Sequence, residues 1–350
     1  MHSLYQYLVK LWGKSGWLPG YRYAVIERFA ARLSPDNLFD AVLPNGLIVA
    51  CDLRDHVQRH IYHWGVYEPV ESWIFTQLIK PGHIVIDAGA NVGQYSMLAS
   101  TIVKPDGMVH AFEPAKTNRL KMAINLVRNR IGNVRLNDLA LWDQPEELTM
   151  SLDQADQTEI NFGGYSVSKK PVIEELVTGL SNSVAGIRLD DYVREQGLST
   201  VDVIKMDIEG SEARALNGSR DTLLKNRPII LMELNQQAAR SQGGELVDLW
   251  RLLVDDLKYD LYPIEPSLKP PVKLHSLDGI ARMNVVAVPK EAPKPAVLES
   301  PIHLKPILAW ARTVRRMAGD SVIPFSAKVG YPLSNETDRI RLRTHLKDRQ

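Results

Sequence analysis

The sequence predicts a doubly wound α/β fold, in which helices cover both faces of a mostly parallel sheet. Short apolar runs typical of buried strands alternate with helical patterns through the middle of the chain. One of these runs passes directly into a glycine-rich turn and a helix. Two later runs, separated by a proline-rich turn, suit an antiparallel pair that closes the sheet. These three observations predict one α/β domain over about residues 46–289.

Each predicted element has a local cause in the sequence. A strand is expected after the Asn45-Gly46 turn, because an apolar run follows a dipeptide that favours tight turns. The remaining strands are predicted at Ile84–Ile86, Val109–Phe112, Val134–Leu136, Val203–Met206 and Ile229–Met232, with the closing pair at Tyr259–Ile264 and Asn284–Val288. Helices are predicted near Val92–Ile102, Thr117–Arg130 and Ser211–Lys225.

Two extensions flank this domain. Residues 1–45 are expected to form an amphipathic helical N-terminal extension, because apolar residues recur there at helical spacing until glycines interrupt the pattern. Residues 290–350 are expected to be a proline-rich linker followed by a basic amphipathic tail, with helical spacing over residues 307–317.

Charge limits the classes of function. The chain has 42 Lys and Arg against 41 Asp and Glu, a net charge of +1, which excludes a uniformly basic nucleic-acid binder. The charge is uneven, because both ends are basic and the middle is acidic. The basic ends either contact an anionic membrane surface or are simply solvated.

Cysteine content and hydropathy bear on the compartment. Cys51 is the only cysteine, so no disulfide forms within the chain, which fits a reducing compartment. No run approaches the roughly 18 apolar residues that a membrane span needs. The first residues also lack the basic start of a signal peptide. We therefore expect a cytoplasmic protein, with peripheral membrane contact through the basic ends left open.

The segment IVIDAGANVG, from Ile84 to Gly93, carries the strongest local signal. A buried strand ends at Asp87, and Gly89 begins the turn into the next helix. Glycines allow the backbone to approach a ligand closely, and the helix start offers free N–H groups. The glycine spacing differs from the G-x-G-x-x-G of dinucleotide sites. An acid at the strand end suits a cationic or hydroxylated ligand, and S-adenosylmethionine (SAM) is both.

Acidic residues also follow the next two strands. Glu113 ends the second strand, where a carboxylate can accept hydrogen bonds from both hydroxyls of a ribose. Asp138 follows the third strand and either accepts a hydrogen bond from the exocyclic amine of adenine or is an ordinary turn acid. Trp142 is close enough in the sequence to pack beside it.

The fourth strand ends in charged residues. Lys205 and Asp207 lie on one face of it, because side chains alternate along a strand. Charged groups at the end of a buried strand are costly unless they are paired or solvated. Ligands of open α/β sheets bind outside the carboxyl ends of strands where the strand order reverses. Asp87 and Asp207 are therefore expected to face one crevice.

At this point the sequence resembles a known family. The segments VIDAGANVGQYS, AFEP, LDDYV and IKMDIEGSE, with residues 63–69 and 80–82 before them, resemble the FkbM family of SAM-dependent methyltransferases. The resemblance covers roughly residues 46–289. It implies a Rossmann-like class I methyltransferase sheet, mostly parallel with a closing antiparallel strand. It also implies methyl transfer from SAM, most often to oxygen of a sugar, polysaccharide or secondary metabolite.

The resemblance implies roles for individual residues. The cofactor-binding residues are then Asp87, Gly89, Asn91 and Gly93 at the methionine end, Glu113 at the ribose and Asp138 at the adenine. Asp207 and Glu209 are expected to border the reacting centre. The partner is then a small-molecule or glycan acceptor rather than a nucleic acid.

Methylation of a hydroxyl requires a group that removes its proton. Asp207 is the first candidate for this base, followed by Glu209 and His63. The histidines around His63 also have the spacing of a helix surface. A metal-assisted route through Asp207 and Glu233 has only two carboxylate ligands, and no metal is expected.

Alternatives from other classes remain. A nicotinamide-dependent Rossmann oxidoreductase fits less well, because the glycine spacing differs and a second acidic strand end is present. A non-catalytic SAM-binding module would keep the glycine turn but lose the fourth-strand acids. Residues 153–187 interrupt the strand–helix alternation and either overhang the crevice, where they would select the acceptor, or add a strand hairpin to the sheet.

Overall fold

The computed structural model describes residues 38–152, 165–168 and 183–312 of the chain. Three parts of the chain lie outside the described residues. They are residues 1–37 of the helical extension predicted for residues 1–45, the tail beyond residue 312 and most of the segment 153–182. The described residues form two small sheets and one main sheet with helices on both of its faces.

The main sheet has seven strands and confirms the predicted α/β architecture. Its strands are β3 (Ile84–Ala88), β4 (Met108–Phe112), β5 (Val134–Asn137), β10 (Val203–Met206), β11 (Ile229–Asn235), β12 (Tyr259–Pro263) and β13 (Arg282–Pro289). They lie in the order β12-β13-β11-β10-β3-β4-β5. The strands from β11 to β5 are parallel, and β13 pairs antiparallel with both β11 and β12.

Helices cover both faces of this sheet. In chain order they are α1 (His56–Trp64), α2 (Pro69–Leu78), α3 (Gln94–Ile102), α4 (Lys116–Arg128), α5 (Leu189–Glu195), α6 (Glu212–Asn217), α7 (Arg220–Asn226), α8 (Gln236–Ser241), α9 (Leu246–Trp250, continued by a π-helical turn over Arg251–Asp256) and α10 (Leu304–Ala311), with a 3₁₀ turn at Ala296–Leu298. Ile86 packs on the face that α5, α6, α7 and α9 cover, and Val85 on the face of α2, α3 and α10. This packing on both faces explains why the central strands are mostly apolar.

The predicted helix over Ser211–Lys225 is two short helices, α6 and α7. Gly218 separates them and lies directly against the chain at Trp142, where a Cβ would be 1.9 Å from the Trp142 carbonyl oxygen. A close backbone contact thus interrupts a pattern that is helical in the sequence alone.

The strand register brings the predicted site residues to one edge. Asp87 on β3 lies opposite Lys205 on β10 and opposite Ala111 on β4. Strand order runs from β3 toward β5 on one side and from β10 toward β11 on the other. The order therefore reverses between β3 and β10, which is where a crevice forms in such sheets.

The remaining strands form two smaller sheets. The first is the hairpin of β1 (Leu38–Val42) and β2 (Ile48–Asp52). The second has the order β6-β9-β7-β8 and contains β6 (Leu139–Leu141), β7 (Glu146–Leu152), β8 (Tyr165–Ser168) and β9 (Ser183–Ile187). The described part of the segment after residue 152 thus pairs within a separate sheet instead of joining the main one.

Both predicted extensions differ from the structure at their inner ends. Residues 38–42 were expected to be helical but form β1, because they pair along their whole length with β2 across the Asn45-Gly46 turn. Residues 290–312 were expected to be linker and tail. Instead, Ile302 and Ile307 are buried in the core beneath α2, and α10 packs on α2.

Within the described ranges, no helix combines the length and apolarity that crossing a membrane requires.

Candidate active site

A cleft opens at the carboxyl edge of the main sheet, where β3 and β10 lie side by side. Its volume, including the open mouth, is about 1100 Å³. The predicted residues Gly89, Asn91, Glu113, Asp207 and Glu209 all line it. The loop between α1 and α2 and residues 139–142 complete its walls. The structure therefore brings the glycine turn and the acids that follow β4 and β10 to one site.

The glycine turn packs directly against the end of β10. Gly89 has a φ of +77°, and a Cβ there would lie 1.9 Å from the backbone oxygen of Asp207. Only glycine therefore fits this position. Asn91 also has a left-handed backbone, with a φ of 50°, and its buried Oδ1 has no hydrogen-bond partner among the described residues. An unpaired buried acceptor that lines a cleft is suited to a donor on a ligand.

Glu113 is fixed by backbone groups. It is 5% exposed, and its Oε2 and Oε1 accept hydrogen bonds from the backbone N–H of Asn91 at 2.7 Å and of Ala115 at 2.8 Å. Burial raises the pKa of Glu113 to about 7, although both hydrogen bonds oppose this shift. Each oxygen can accept a further hydrogen bond, so the carboxylate can serve a pair of hydroxyls.

Lys205 connects the glycine turn after β3 to the acidic end of β10. Its Nζ donates to the carbonyl oxygen of Gly89 at 3.1 Å and lies 3.6 Å from Asp207 Oδ2 and 4.0 Å from Asp87 Oδ1. It also lies 5.0 Å from the centre of the Tyr95 ring. Burial alone would lower the pKa of Lys205, but the surrounding carboxylates, led by Asp207, raise it. Lys205 is therefore a buried cation that holds the glycine turn against the end of β10.

Two carboxyl groups of the cleft share an acidic environment. Burial, and after it the negative charge of Asp207, raises the pKa of Glu68 and that of Glu209 to about 8 each. Both residues have left-handed backbones, with φ values of 48° and 53°. Strained backbone conformations of this kind cluster at functional sites. Sequence analysis missed Glu68, although it lies in residues 63–69, one of the segments that carry the family resemblance.

Four predicted site residues do not line the cleft. Asp87 is fully buried behind it, where its Oδ2 accepts a hydrogen bond from Ser96 Oγ at 2.6 Å. Gly93 is the N-cap residue directly before α3 and packs on Met122 of α4. Asp138 lies between β5 and β6, and His63 packs its ring on Tyr62. Asp87 contacts a cleft residue through its side chain, since it supports Lys205.

The wall near Asp138 is apolar. The residues that follow it, Leu139 to Trp142, line the cleft together with Phe112. The indole N–H of Trp142 donates to Glu146. This wall offers a flat apolar surface to an aromatic base.

Glu233 is engaged elsewhere. Its Oε1 accepts from Arg282, with which it forms an ion pair, and its Oε2 accepts from Asn235 Nδ2 at 3.1 Å. Over the described ranges, no group of three or more His, Cys, Asp or Glu residues has a metal-binding arrangement. The metal-assisted route considered for Asp207 and Glu233 gains no support from this geometry.

The sheet and the cleft together define a class of protein. A glycine turn after β3, an acid at the end of β4 and a strand order closed by an antiparallel strand are the features of a Rossmann-like class I methyltransferase.

The chain belongs to the FkbM methyltransferase family. The model of the Methyltransferase FkbM domain matches residues 87–261, half of the chain. The 31-O-demethyl-FK506 methyltransferase FkbM of Streptomyces tacrolimicus is 31% identical over 162 residues, covering 41% of this chain and 62% of that protein. The chain thus spans less than two thirds of that relative's length. The 2-O-methyltransferase NoeI of Sinorhizobium fredii (strain NBRC 101917 / NGR234) is 26% identical over 212 residues, covering 57% of this chain and 84% of that protein.

Among solved structures, Methyltransferase FkbM from Methylobacillus flagellatus KT matches with 15% identity and a TM-score of 0.36. The match covers 76% of this chain and 59% of that one. At this level of similarity it adds nothing to the family assignment, which rests on the sequence matches.

Proposed function

We propose that this protein transfers a methyl group from SAM to a hydroxyl oxygen of a small molecule or glycan. The proposal rests on the contacts of Lys205. Its Nζ connects the glycine turn to the acidic end of β10, in the cleft that also holds Glu113. Such a cleft suits a ligand that is cationic at one end and hydroxylated in the middle.

The residues of the cleft fit SAM part by part. The turn at Gly89 and the unpaired Oδ1 of Asn91 would receive the methionine end. The Glu113 carboxylate would accept hydrogen bonds from the ribose hydroxyls. The apolar wall from Leu139 to Trp142 would contact the adenine ring. Asp138 does not line the cleft, so we do not propose it as the adenine-binding residue.

SAM, when bound, supplies a methyl group that is already electrophilic. The protein must then align an acceptor oxygen with that methyl group and take up the proton that the oxygen loses. Asp207 and Glu209 line the cleft, and His63 does not. Asp207 Oδ2 also forms an ion pair with Lys205 Nζ at 3.6 Å.

The names of relatives and the acidic middle of the chain favour an oxygen acceptor that carries no phosphate. One relative is named a 31-O-demethyl-FK506 methyltransferase and the other a 2-O-methyltransferase. Both names describe transfer to oxygen. The middle of the chain is acidic, so the phosphates of a nucleic acid would be repelled.

A transfer assay tests the proposed reaction. A tritiated methyl group of SAM is followed into 31-O-demethyl-FK506 and into oligosaccharides that differ in their free hydroxyls. We expect label in an acid-stable ether at one hydroxyl, and none in the matched compound in which that hydroxyl is blocked. Label on nitrogen or carbon would contradict O-methylation. Acceptor oxidation that depends on a nicotinamide cofactor, with no label transferred, would favour the oxidoreductase alternative.

The basic ends of the chain support a second, smaller proposal, peripheral contact with an anionic membrane. The test is co-sedimentation with vesicles containing anionic lipid. Removal of residues 1–33, or of residues beyond 312, is expected to reduce binding. Binding that is unchanged by both truncations would rule out this contact.

A further inference from the structure

Glu68 has a backbone that a glutamate adopts only at a cost. Its φ is 48° and its ψ is 71°, and the next residue, Pro69, begins α2. For a residue with a Cβ, the left-handed region is sterically unfavourable. A following proline restricts the residue before it further. The surrounding structure must therefore hold this conformation in place.

A buried glutamine provides that restraint. The side-chain amide of Gln94 donates to the Tyr67 carbonyl oxygen at 3.0 Å and to Ser72 Oγ at 2.9 Å. Its Oε1 accepts from the Tyr67 N–H at 2.7 Å. Because Gln94 is the first residue of α3, directly after the glycine turn, the loop that carries Glu68 is fixed to the turn itself.

The carboxyl group of Glu68 lines the cleft among charged and titratable groups. Tyr95 on α3 donates its hydroxyl to Glu68 Oε2 at 3.2 Å. The other groups that act on Glu68 electrostatically are Tyr67 beside it, Glu71 on α2, Lys205 and Asp207 at the end of β10, Glu233 on β11 and Arg282 on β13. Burial raises the pKa of Glu68, and the surrounding acids, led by Asp207, add to this effect, so the pKa is about 8 and the free protein holds the Glu68 proton at pH 7.

We propose that Glu68 carries the proton that methylation releases: it is ionised when SAM is bound and protonated when the product S-adenosylhomocysteine (SAH) is bound. This inference rests on the proposed methyl transfer. A sulfonium cation entering the cleft favours the carboxylate, so the proton of Glu68 leaves to solvent. In the transfer, the bond from sulfur to methyl breaks and leaves its electron pair on sulfur. The acceptor oxygen forms the new bond to methyl, and its proton moves to Glu68.

Proton counting in calorimetry tests this inference without any acceptor. SAM and SAH are each titrated at pH 7 in buffers of different ionisation enthalpy, which gives the number of protons released on binding. The two ligands share the ribose and the amino-acid end, so their difference isolates the sulfonium charge. We expect SAM to release about one proton more than SAH. The Glu68→Gln variant is expected to bind both ligands with a difference near zero.

Matched variants identify the group that releases the proton. Glu209 also lines the cleft and has a pKa of about 8, so Glu209→Gln is the direct control and should keep the difference of about one proton. Asp207→Asn should reduce the difference in proton release between SAM and SAH at pH 7. Removing the Asp207 charge lowers the pKa of Glu68, so less of the Glu68 carboxyl group is protonated before SAM binds. Tyr95→Phe leaves the backbone of Glu68 untouched and should move the midpoint of the difference to higher pH, since a donor to the carboxylate is lost.

Each contrary result has a separate meaning. Equal proton release for SAM and SAH by the unaltered protein would overturn the role of Glu68 while leaving SAM binding intact. A difference that disappears in Glu209→Gln but persists in Glu68→Gln would assign the proton to Glu209 instead. If the unaltered protein binds neither ligand, the proposed methyl transfer itself fails and the inference fails with it.

Discussion

The Lys205 ammonium group holds together residues that are far apart in the sequence. It is 5% exposed, yet its pKa is raised, because Asp87 and Asp207 compensate it from either side. A buried cation without such partners would lose its proton. Burial raises the pKa of three carboxyl groups in the same cleft, those of Glu68, Glu113 and Glu209, to about 7 or 8.

The backbone strain at Glu68 can be measured by comparing two substitutions. Glu68→Ala and Glu68→Gly both remove the carboxyl group and the hydrogen bond from Tyr95, so only the backbone preference differs between them. We expect the glycine variant to be more stable by about 1 kcal/mol, the reverse of the usual order. Urea unfolding of both variants measures this difference. A more stable alanine variant would show that position 68 is unstrained.

The free energy of unfolding should fall as the pH rises from 6 to 8. Glu212 allows the contribution of a single carboxyl group to this fall to be measured. Burial raises its pKa to about 7, and it does not line the cleft. A carboxyl group whose pKa is raised on folding stabilises the protein below its unfolded pKa and loses that contribution as the pH rises through its folded pKa. Glutamine mimics the protonated form. Glu212→Gln should therefore reduce the loss of unfolding free energy between pH 6 and 8 by about 1 kcal/mol.

Urea unfolding at pH 6, 7 and 8 makes this comparison. Glu265→Gln, at an exposed position, is the control and should leave the pH dependence unchanged. An unaltered protein whose stability is constant or rises over this range would contradict the burial of these carboxyl groups in their protonated form.

At the scale of elements, α10 shows how the chain beyond the sheet completes the core. Ile307 is 1% exposed and packs with residues of α2, whereas Leu304 on the same helix is 42% exposed. Helix α10 also lies close to the chain near Gly65, where a Cβ would be 2.1 Å from the Ala311 carbonyl oxygen. The folded unit therefore extends at least to residue 311.

Two alanine substitutions test this boundary. Ile307→Ala should lower the free energy of unfolding by about 2–4 kcal/mol, because it leaves a cavity in the core. Leu304→Ala should change it by less than about 0.5 kcal/mol. Denaturant unfolding of both variants gives the values. Equal small effects would mean that α10 is a dispensable tail, as the sequence alone suggested.

At the scale of the whole molecule, the sequence predicted most of the sheet and part of the site. Strands buried on both faces are mostly apolar, so β3, β4, β10 and β11 stand out in the sequence. The glycine turn, Glu113 and Asp207 each follow the end of one of these strands, so the strand pattern locates them as well. These features depend on neighbours in the sequence.

Features that depend on tertiary contacts were missed. Glu68 lies in a loop that has no hydrophobic periodicity. Its left-handed backbone is held in place by Gln94, which hydrogen-bonds to the neighbouring Tyr67 and lies 26 positions from Glu68 in the sequence. Asp138 and His63 were chosen as residues of suitable chemistry near the right strands, but neither lines the cleft. Where a loop side chain points is decided by packing that the sequence pattern does not carry.

The central claim is that this cleft binds SAM through Glu113, and calorimetry tests it most directly. SAM and NADH are titrated into the unaltered protein, into Glu113→Gln and into Glu265→Gln as the surface control. We predict that SAM binds, that NADH does not, and that Glu113→Gln weakens SAM binding at least tenfold, or about 1.4 kcal/mol, while the control binds normally. SAM binding that is unchanged in Glu113→Gln, or NADH binding in place of SAM, would contradict the claim.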